Sequence, residues 1–479
     1  MRSPIFLLAT LSLCSAVSKE QDFPPIVAEK CAGCHPVPRP TSMPRHAWPG
    51  IGATMVAIMD QSNVPVDLEA MDEIMAFYMA NSPTEFEMIP DDFADTLLHF
   101  DKESVGMILT QQRPEVTSVT FADLSGDGLE NDLVVTDNSI GAVTWLHYEN
   151  GNSEEKIIAK VPAPVNVDAF DFDGDGDTDL AVSAMGQMHP VDKLIGEFHL
   201  LLNNGDGTFE QKILLEGVPR ITDSAAADFD GDGDTDFILA MFGWRFTGAI
   251  GLLEQTAPGD FELHNVLEIN GCMQVELNDY NGDDLPDFVA LLTQQHESIV
   301  QFVNKGNGEF SSGFITRANH PAFGSSSIHL KDLNQDGHVD ILFTNGDMMD
   351  ENPQAKPYHG ARWLENDGEG NYTLHYLVGM PGCYDAEPFD LDGDGDLDVV
   401  VSSLNFLWDE HDFPSLIWLE NTGGFRNFIR RRIAYAPTNL AKIVIGDLDG
   451  NGKPDIVGGG MHVPGPLDRK GRLTTWLQK

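Results

Sequence analysis

The chain has 479 residues, with 28 Lys or Arg against 76 Asp or Glu and a formal net charge of −48. That imbalance excludes nucleic acid and anionic membrane surfaces as favourable partners and leaves cations as natural ones. The length calls for a small unit plus a large one with a sizeable core.

The first residues, MRSPIFLLATLSLCSAVSKE, carry one Arg, an apolar run from Ile5 to Leu13 and small residues ending at Ser18. This is the layout of a secretory signal peptide over residues 1–18, so a secreted or periplasmic protein is expected. A lipoprotein reading through Cys14 needs a small residue where Leu13 stands. No other apolar run approaches the ~18 residues of a membrane span.

Residues 31–35 read CAGCH. Cys-x-x-Cys-His is the spacing at which two thiols add to a porphyrin edge while the adjacent His reaches the iron, so Cys31, Cys34 and His35 are candidates for covalent haem c. A Cys31–Cys34 disulfide or half a zinc site are the competing readings; the second lacks a further Cys/His pair of zinc spacing. The stretch PPIVAEKCAGCH reads as a short helix and DLEAMDEIMAFYMANSP as another, with Met71, Ile74, Met75, Tyr78 and Met79 on one face.

Residues 20–83 thereby resemble a small all-α cytochrome c domain. The resemblance implies Met55, seven residues after Trp48, as sixth iron ligand, with Met43, Met59 and His46 as rivals. A Met/His pair suits electron transfer, whereas an open iron suits catalysis.

The remainder is repetitive. DLSGDGLEND, DFDGDGDTD (twice), DYNGDDLPD, DLNQDGHVD, DLDGDGDLD and DLDGNGKPD start at Asp123, Asp171, Asp228, Asp279, Asp332, Asp390 and Asp447. They recur about every 54 residues with strand-like flanks, the signature of propeller blades. The expected fold is mostly β, a seven-bladed β-propeller over residues 95–479.

Oxygens at positions 1, 3, 5 and 9 of each loop, with a backbone carbonyl at 7, suit a hard cation, and up to seven Ca2+ are expected. The candidate ligands are Asp123, Ser125, Asp127, Asn131 and Asp132, then Asp171, Asp173, Asp175 and Asp179, then Asp228, Asp230, Asp232 and Asp236. The later loops supply Asp279, Asn281, Asp283 and Asp287, Asp332, Asn334, Asp336 and Asp340, Asp390, Asp392, Asp394 and Asp398, and Asp447, Asp449, Asn451 and Asp455. The EF-hand Glu at position 12 and flanking helices are missing. The pattern resembles the FG-GAP/VCBS repeats of integrin-α-like propellers, which implies calcium in the hairpin between the first two strands of each blade. The loops at Asp171, Asp228 and Asp390 are expected to bind best. Those at Asp123 and Asp447, with Ser125, Asn451 and Lys453, are expected to bind more weakly.

The chain ends at TTWLQK, short of a last outer strand, and TLLHFDKESVGMILTQ has the composition to supply it. Counting back from each loop, the residues at minus 5 (Ser118, Asn166, Asp223, Gln274, Ser327, Asp385, Lys442) are polar and those at minus 2 are apolar. This alternation assigns one face to packing and the other to a wet, acidic central channel, with His329, Glu276, Glu387 and Asp385 as candidate catalytic groups. Loops at the end opposite the calcium hairpins carry His189, Trp244, Arg245, His296, Tyr358, His359, Arg362, Trp408, His411 and His462, a candidate pocket. Cys272 and Cys383, in blades that are not neighbours, are expected as free thiols.

Three functions fit. The first is an exported electron-transfer protein whose propeller binds a small-molecule or glycan ligand or a redox partner protein. The second is a periplasmic oxidoreductase that oxidises a small molecule or sugar in the propeller mouth, and the third an extracellular adhesion or glycan-binding scaffold. No Walker loop, G-x-S-x-G elbow or H-E-x-x-H occurs.

Overall fold

A computed structural model describes residues 23–87, 92–109, 112–149, 151–349, 356–405, 413–462 and 472–479. The signal-peptide reading, Cys14, Trp408 and His411 lie outside the described residues. Among the described residues no helix is long and apolar enough to cross a membrane.

Seven antiparallel sheets form a ring. Their innermost strands are Val116–Ala122, Pro164–Phe170, Ile221–Ala227, Cys272–Asn278, Ser325–Lys331, Cys383–Phe389 and Leu440–Gly446. Each packs on the next and the last packs on the first, closing the propeller. The second strands, such as Asp179–Ala184 and Asp236–Met241, are buried at every position because neighbouring blades cover both faces. Outer strands such as Asn152–Lys160 keep mostly exposed, charged side chains.

Closure follows the sequence expectation. Phe100–Val105 pairs antiparallel with Leu473–Gln478, from Phe100 opposite Gln478 to Val105 opposite Leu473, and completes blade seven. At this seam the buried Arg472 donates to Asp137 at 2.9 Å and to Glu155 at 2.8 Å, tying the last blade to the first. Ala94–Asp95 adds a short parallel fifth strand to blade six, beside Arg431 and Arg432, which the sequence pattern did not announce.

A second unannounced feature recurs in all seven innermost strands. A register shift falls between the residues at minus 7 and minus 5, as between Cys272 and Gln274 or Cys383 and Asp385. A bulge re-aims the side chains around it. Here it sends the hydroxyls of Thr117, Thr222 and Ser326 sideways, to the carbonyls of Pro164, Cys272 and Cys383 in the next blade, at 2.9, 3.0 and 3.2 Å.

Before the propeller come three helices, α1 (Pro25–Cys31), α2 (Trp48–Gln61) and α3 (Leu68–Asn81). Asp67 caps α3 by accepting from the Ala70 amide at 3.1 Å. Val27, Met43, Ala47, Trp48, Ile74 and Tyr78 form their core, with Trp48 stacked on Tyr78 at 4.0 Å. The core extends to Ala322 of the propeller. The Tyr358 hydroxyl donates to the Ser42 carbonyl at 2.9 Å, so the helices dock at the end opposite the Asp-Gly hairpins.

Breaking a buried ion pair strands its partner charges, so Arg472→Ala is expected to lower unfolding free energy by about 3 kcal/mol. Urea unfolding at pH 7 measures it; a loss below about 0.5 kcal/mol would show that the seam does not depend on this pair.

Candidate functional site

In six Asp-Gly loops the ninth residue is buried: Asp179, Asp236, Asp287, Asp340, Asp398 and Asp455 are at most 1 % exposed. One carboxylate oxygen accepts the amide of the loop's second residue, from Phe172 at 2.9 Å and Leu391 at 3.2 Å for instance. The other accepts an amide of the third strand, Asn203 and Asn421 both at 2.7 Å. Hairpin and third strand are thus joined through one side chain in each of these blades. In the first loop, one residue longer, this place is taken by Asp132: it accepts the Leu124 amide at 3.1 Å and lies 2.7 Å from His147 Nδ1. Asn131 does not take it, and its Oδ1 is buried without a partner among the described residues.

The first Asp of each loop wraps backbone amides. Asp171 accepts from Gly174 at 2.8 Å and Gly176 at 3.1 Å. Those glycines have φ of 77° and 94°, which L side chains seldom adopt, and they let the turn close around the carboxylate.

In four loops, carboxylate oxygens of the first, third and ninth residues converge within 4.8 Å of one another: Asp171/Asp173/Asp179, Asp228/Asp230/Asp236, Asp390/Asp392/Asp398 and Asp447/Asp449/Asp455. Oxygen-only donors this close fit Ca2+, whose ligands stand at ~2.4 Å. Burial pushes Asp398 up to about 7 and Asp236 and Asp455 up to about 6, a penalty that a bound cation offsets. The loop at Asp447 converges as well as the three expected to bind best. Its Asn451 instead donates to the Gln478 carbonyl at 2.9 Å. The fifth residues Asp175, Asp232 and Asp394 accept the amides of Asp177, Asp234 and Asp396 at 2.9, 2.9 and 3.0 Å. In the loops at Asp279 and Asp332 the amides of Asn281 and Asn334 bond to Asp283 and Asp336, both at 2.9 Å. Asp123, Ser125 and Asp127 occupy the corresponding turn of blade one, where Asp123 accepts the Gly126 amide at 2.8 Å.

The polar residues at minus 5 do more than face a channel. Asp223 accepts the Val275 amide at 2.8 Å, Gln274 exchanges bonds with Ile328 at 2.8 and 2.9 Å, and Asp385 accepts the Ile443 amide at 3.1 Å. Each stitches its blade to the next, a use that the spacing alone does not disclose.

Around the axis the four candidate catalytic groups do come together. His329 Nε2 lies 3.2 Å from Asp385 and 3.8 Å from Glu387, and Lys442 Nζ lies 3.2 Å from the other Asp385 oxygen. Burial alone would raise Asp385, but Lys442 and His329 hold it well below the usual carboxylate range. Burial would depress His329, yet Glu387 and Asp385 outweigh it and raise the ring. Lys442 rises to about 12 against the effect of burial because Asp385 and Glu387 face it. Glu276 of blade four also faces His329 and Lys442, but the carboxylates of blades two and three lack such partners: burial, then Glu276, push Asp168 up to about 7 although Ser224 and Asn166 donate to it. Burial raises Glu276 and, reinforced by Asp168, lifts Asp223 well above its ordinary value. The channel therefore has a cation-paired side and an acid side.

The loop candidates divide. Arg245 stacks on Trp244 at 4.2 Å, and Asp192, unmarked by any motif, accepts the amides of Arg245, Phe246 and Thr247 at 2.9, 2.8 and 3.1 Å. His296 shares Asn270 with Gln295 at 3.2 and 2.7 Å. His189 is exposed and His462 buried. Tyr358, His359 and Arg362 do not line an open mouth. Tyr358 holds the helical unit, His359 accepts the Gly382 amide at 3.3 Å, and Arg362 is buried against Asn345 and the carbonyls of Gly360 and Tyr358. Cys272 and Cys383 are buried and unbonded.

In the helical unit Cys31 is half-buried against the core and Cys34 exposed. His35 Nδ1 is 2.9 Å from the Pro36 carbonyl, which places the ring proton there and leaves Nε2 as a lone-pair donor. This is the tautomer a metal-bound imidazole needs, so the residues present fit a haem. Only Trp48 and Gly52 of α2 are buried, whereas Ile51, Met55, Ile58 and Met59 stay half-exposed. Met43 is packed in the core and His46 is exposed.

A family model described as an FG-GAP-like repeat matches residues 123–182, 192–239 and 249–343, so blades one to five carry FG-GAP-like repeats. Together with the ring of seven sheets, this defines a seven-bladed propeller of the binding-module class, with Asp clusters able to take Ca2+. One similar solved structure, titled as the crystal structure of BBS1N in complex with ARL6DN, soaked with lead, is 12 % identical. The alignment covers 80 % of this chain and 97 % of that one, at a TM-score of 0.47. No curated protein matches the chain.

Three outcomes follow from these geometries. Asp179→Ala strands two buried amides and removes an oxygen of the calcium cluster, so it is expected to cost about 3 kcal/mol in chelator and more in calcium. Asp173→Ala is expected to cost stability only when calcium is present. Parallel melts in calcium and in chelator measure both, and an equal cost of the two variants in chelator would contradict the division of roles. For Asp168, raised from 3.8 to about 7, the folded state holds more protons than the unfolded one between those values. Stability therefore falls as pH rises through that window. In calcium-saturated buffer the loss from pH 5 to 8 should be smaller in Asp168→Asn, and an unchanged slope would remove Asp168 as its source.

Proposed function

We propose that this is an exported c-type haem protein acting in electron transfer, with the calcium-fit propeller as its ligand- or partner-binding module. The observation that carries the proposal is His35: adjacent to Cys31-x-x-Cys34, its Nδ1 is committed to the Pro36 carbonyl and its Nε2 is left to ligate. Cys31 and Cys34 would tether the haem by thioether bonds and His35 would ligate it. By the resemblance Met55 would be the further ligand, with Met59 one turn away on the same helix. When bound, the haem supplies reversible one-electron transfer at its iron. The half-exposed apolar residues of α2 would exclude water from it, and the contact of Tyr358 with Ser42 fixes the helices on the propeller.

A second reading, oxidation of a substrate at the propeller axis, is favoured by one observation. His329 is paired with Asp385 and Glu387 where it can accept a proton, and its side chain keeps 15 % of its surface open. His329→Ala and Glu387→Gln should then abolish substrate-driven haem reduction without lowering the melting temperature.

The primary proposal predicts that the full chain, produced in a cell that matures c-type cytochromes, keeps its haem absorbance after denaturation. The double variant Cys31→Ser, Cys34→Ser should lose it. Met55→Ala should keep the haem covalently bound but shift the spectrum from low to high spin. A wild-type chain with no covalent haem overturns the proposal; an unshifted Met55→Ala spectrum overturns only the sixth-ligand assignment.

A further inference from the structure

On blades two and three the loops at the end opposite the Asp-Gly hairpins are built around two charged side chains that bond to backbone. Arg220, 2 % exposed, donates to the Gly243 carbonyl at 2.9 and 2.7 Å and to the Met188 carbonyl at 3.2 Å, which joins loop 185–195 to loop 242–248. One oxygen of Asp192 accepts the amides of Arg245, Phe246 and Thr247 and, at 3.2 Å, the Thr247 hydroxyl. Both loops close where no side chain fits. A Cβ on Gly243, whose φ is 61°, would stand 1.7 Å from the Thr247 carbonyl oxygen, and one on Gly186 2.1 Å from that of Ile195. Met188 packs against Tyr384, Leu404, Ala441 and Met461 of blades six and seven, which anchors the first loop at its inner end.

What this scaffold turns outward departs from the rest of the chain. Leu194 and Phe246 are 55 % and 54 % exposed, and Lys193, next to Leu194 in sequence, is exposed as well. The Arg245 guanidinium lies over the Trp244 indole at 4.2 Å. Asp192 is the one carboxylate in either loop, and its bonds go to backbone amides. Lys193 and Arg245 form no ion pair among the described residues. On a chain of net charge −48 this leaves a rigid corner that is both apolar and basic. Trp, Phe and Arg are the side chains that dominate binding energy at protein interfaces, and basic groups around them select an acidic partner.

We propose that this corner of blades two and three is the docking site of a partner protein that presents an apolar segment flanked by Asp or Glu. This rests on the reading of the propeller as a partner-binding module, and not on the haem. The partner's apolar side chains cover Leu194 and Phe246, and its carboxylates meet Lys193 and Arg245 at the rim. Because Arg220 and Asp192 already hold both loops, docking orders little of this chain, which favours affinity. A glycan fits less well: one face of Trp244 already carries Arg245, and Leu194 and Phe246 offer no hydrogen bond to a sugar hydroxyl.

The test titrates three probes against the full, calcium-loaded chain: short fluorescent peptides of Leu and Phe set among Glu, the same peptides with Lys in place of Glu, and polygalacturonate. Saturable binding of the acidic peptides alone, weakened about tenfold by Phe246→Ala and by Arg245→Glu and weakened again by added salt, supports the site. Both substitutions alter side chains at the surface, so melting temperatures in calcium should match the wild type, which separates lost docking from a lost fold. Acidic peptides that bind both variants as tightly as the wild type overturn the site but leave the module reading standing, because they then sit elsewhere on the propeller. Equal binding of the Lys peptides contradicts the charge complementarity and overturns the proposal. Binding of polygalacturonate without any peptide overturns it too and makes the corner a glycan site. If no probe binds, the docking site falls and the module reading loses its support with it.

Discussion

Each blade depends on one buried carboxylate at the end of its first hairpin. Asp179, and its counterparts in the other blades, bonds at once to the turn before it and to the third strand beside it. A charged acceptor for two buried amides is among the stronger interactions available to a β-hairpin, and removing it would strand both donors. The same carboxylate costs desolvation free energy, which is why Asp179, Asp236, Asp287, Asp340, Asp398 and Asp455 are raised. The cost is offset when a cation sits against the outward oxygens of Asp390 and Asp392. Fold and calcium affinity are therefore two aspects of one arrangement.

The ring is held in a second way, between blades. Side chains turned by the recurrent bulge and the polar residues beside it bond to the backbone of the next innermost strand, as Asp223 does to Val275 and Asp385 to Ile443. Polar groups near the axis thus carry structural load as well as charge. Only on blades five to seven do His329, Glu387 and Lys442 add a paired, partly open constellation, and this is where any proton chemistry of the propeller would be seated.

Much of this was legible in the sequence because repetition amplifies weak signals. Seven Asp-Gly strings gave the number of blades, and TTWLQK, lacking a partner, pointed to Phe100–Val105 as the closing strand. The function of Asp132 was obscured because one extra residue shifts the register of that loop, so Asn131 and Asp132 compete by count but not in space. The bulge left no mark because it depends on backbone pairing and not on a residue type: minus 6 is Thr117 in one blade and Tyr384 in another. Tyr358, His359 and Arg362 looked like pocket residues because aromatic and basic side chains in loops usually face ligands. Tyr358 instead bonds to the helical unit, and His359 and Arg362 are buried among propeller residues. Asp192 carried no motif, since a carboxylate that accepts backbone amides can follow any loop geometry.

The most direct test of the account is the number and placement of calcium ions, counted by native mass spectrometry on the full chain as calcium is raised from chelated buffer. The convergent carboxylates predict that four ions bind first. Asp173→Ala, Asp230→Ala, Asp392→Ala and Asp449→Ala should each remove one of them. A chain that binds no calcium, or whose first ions survive all four substitutions, would contradict the claim that these hairpins are cation sites built on a buried carboxylate.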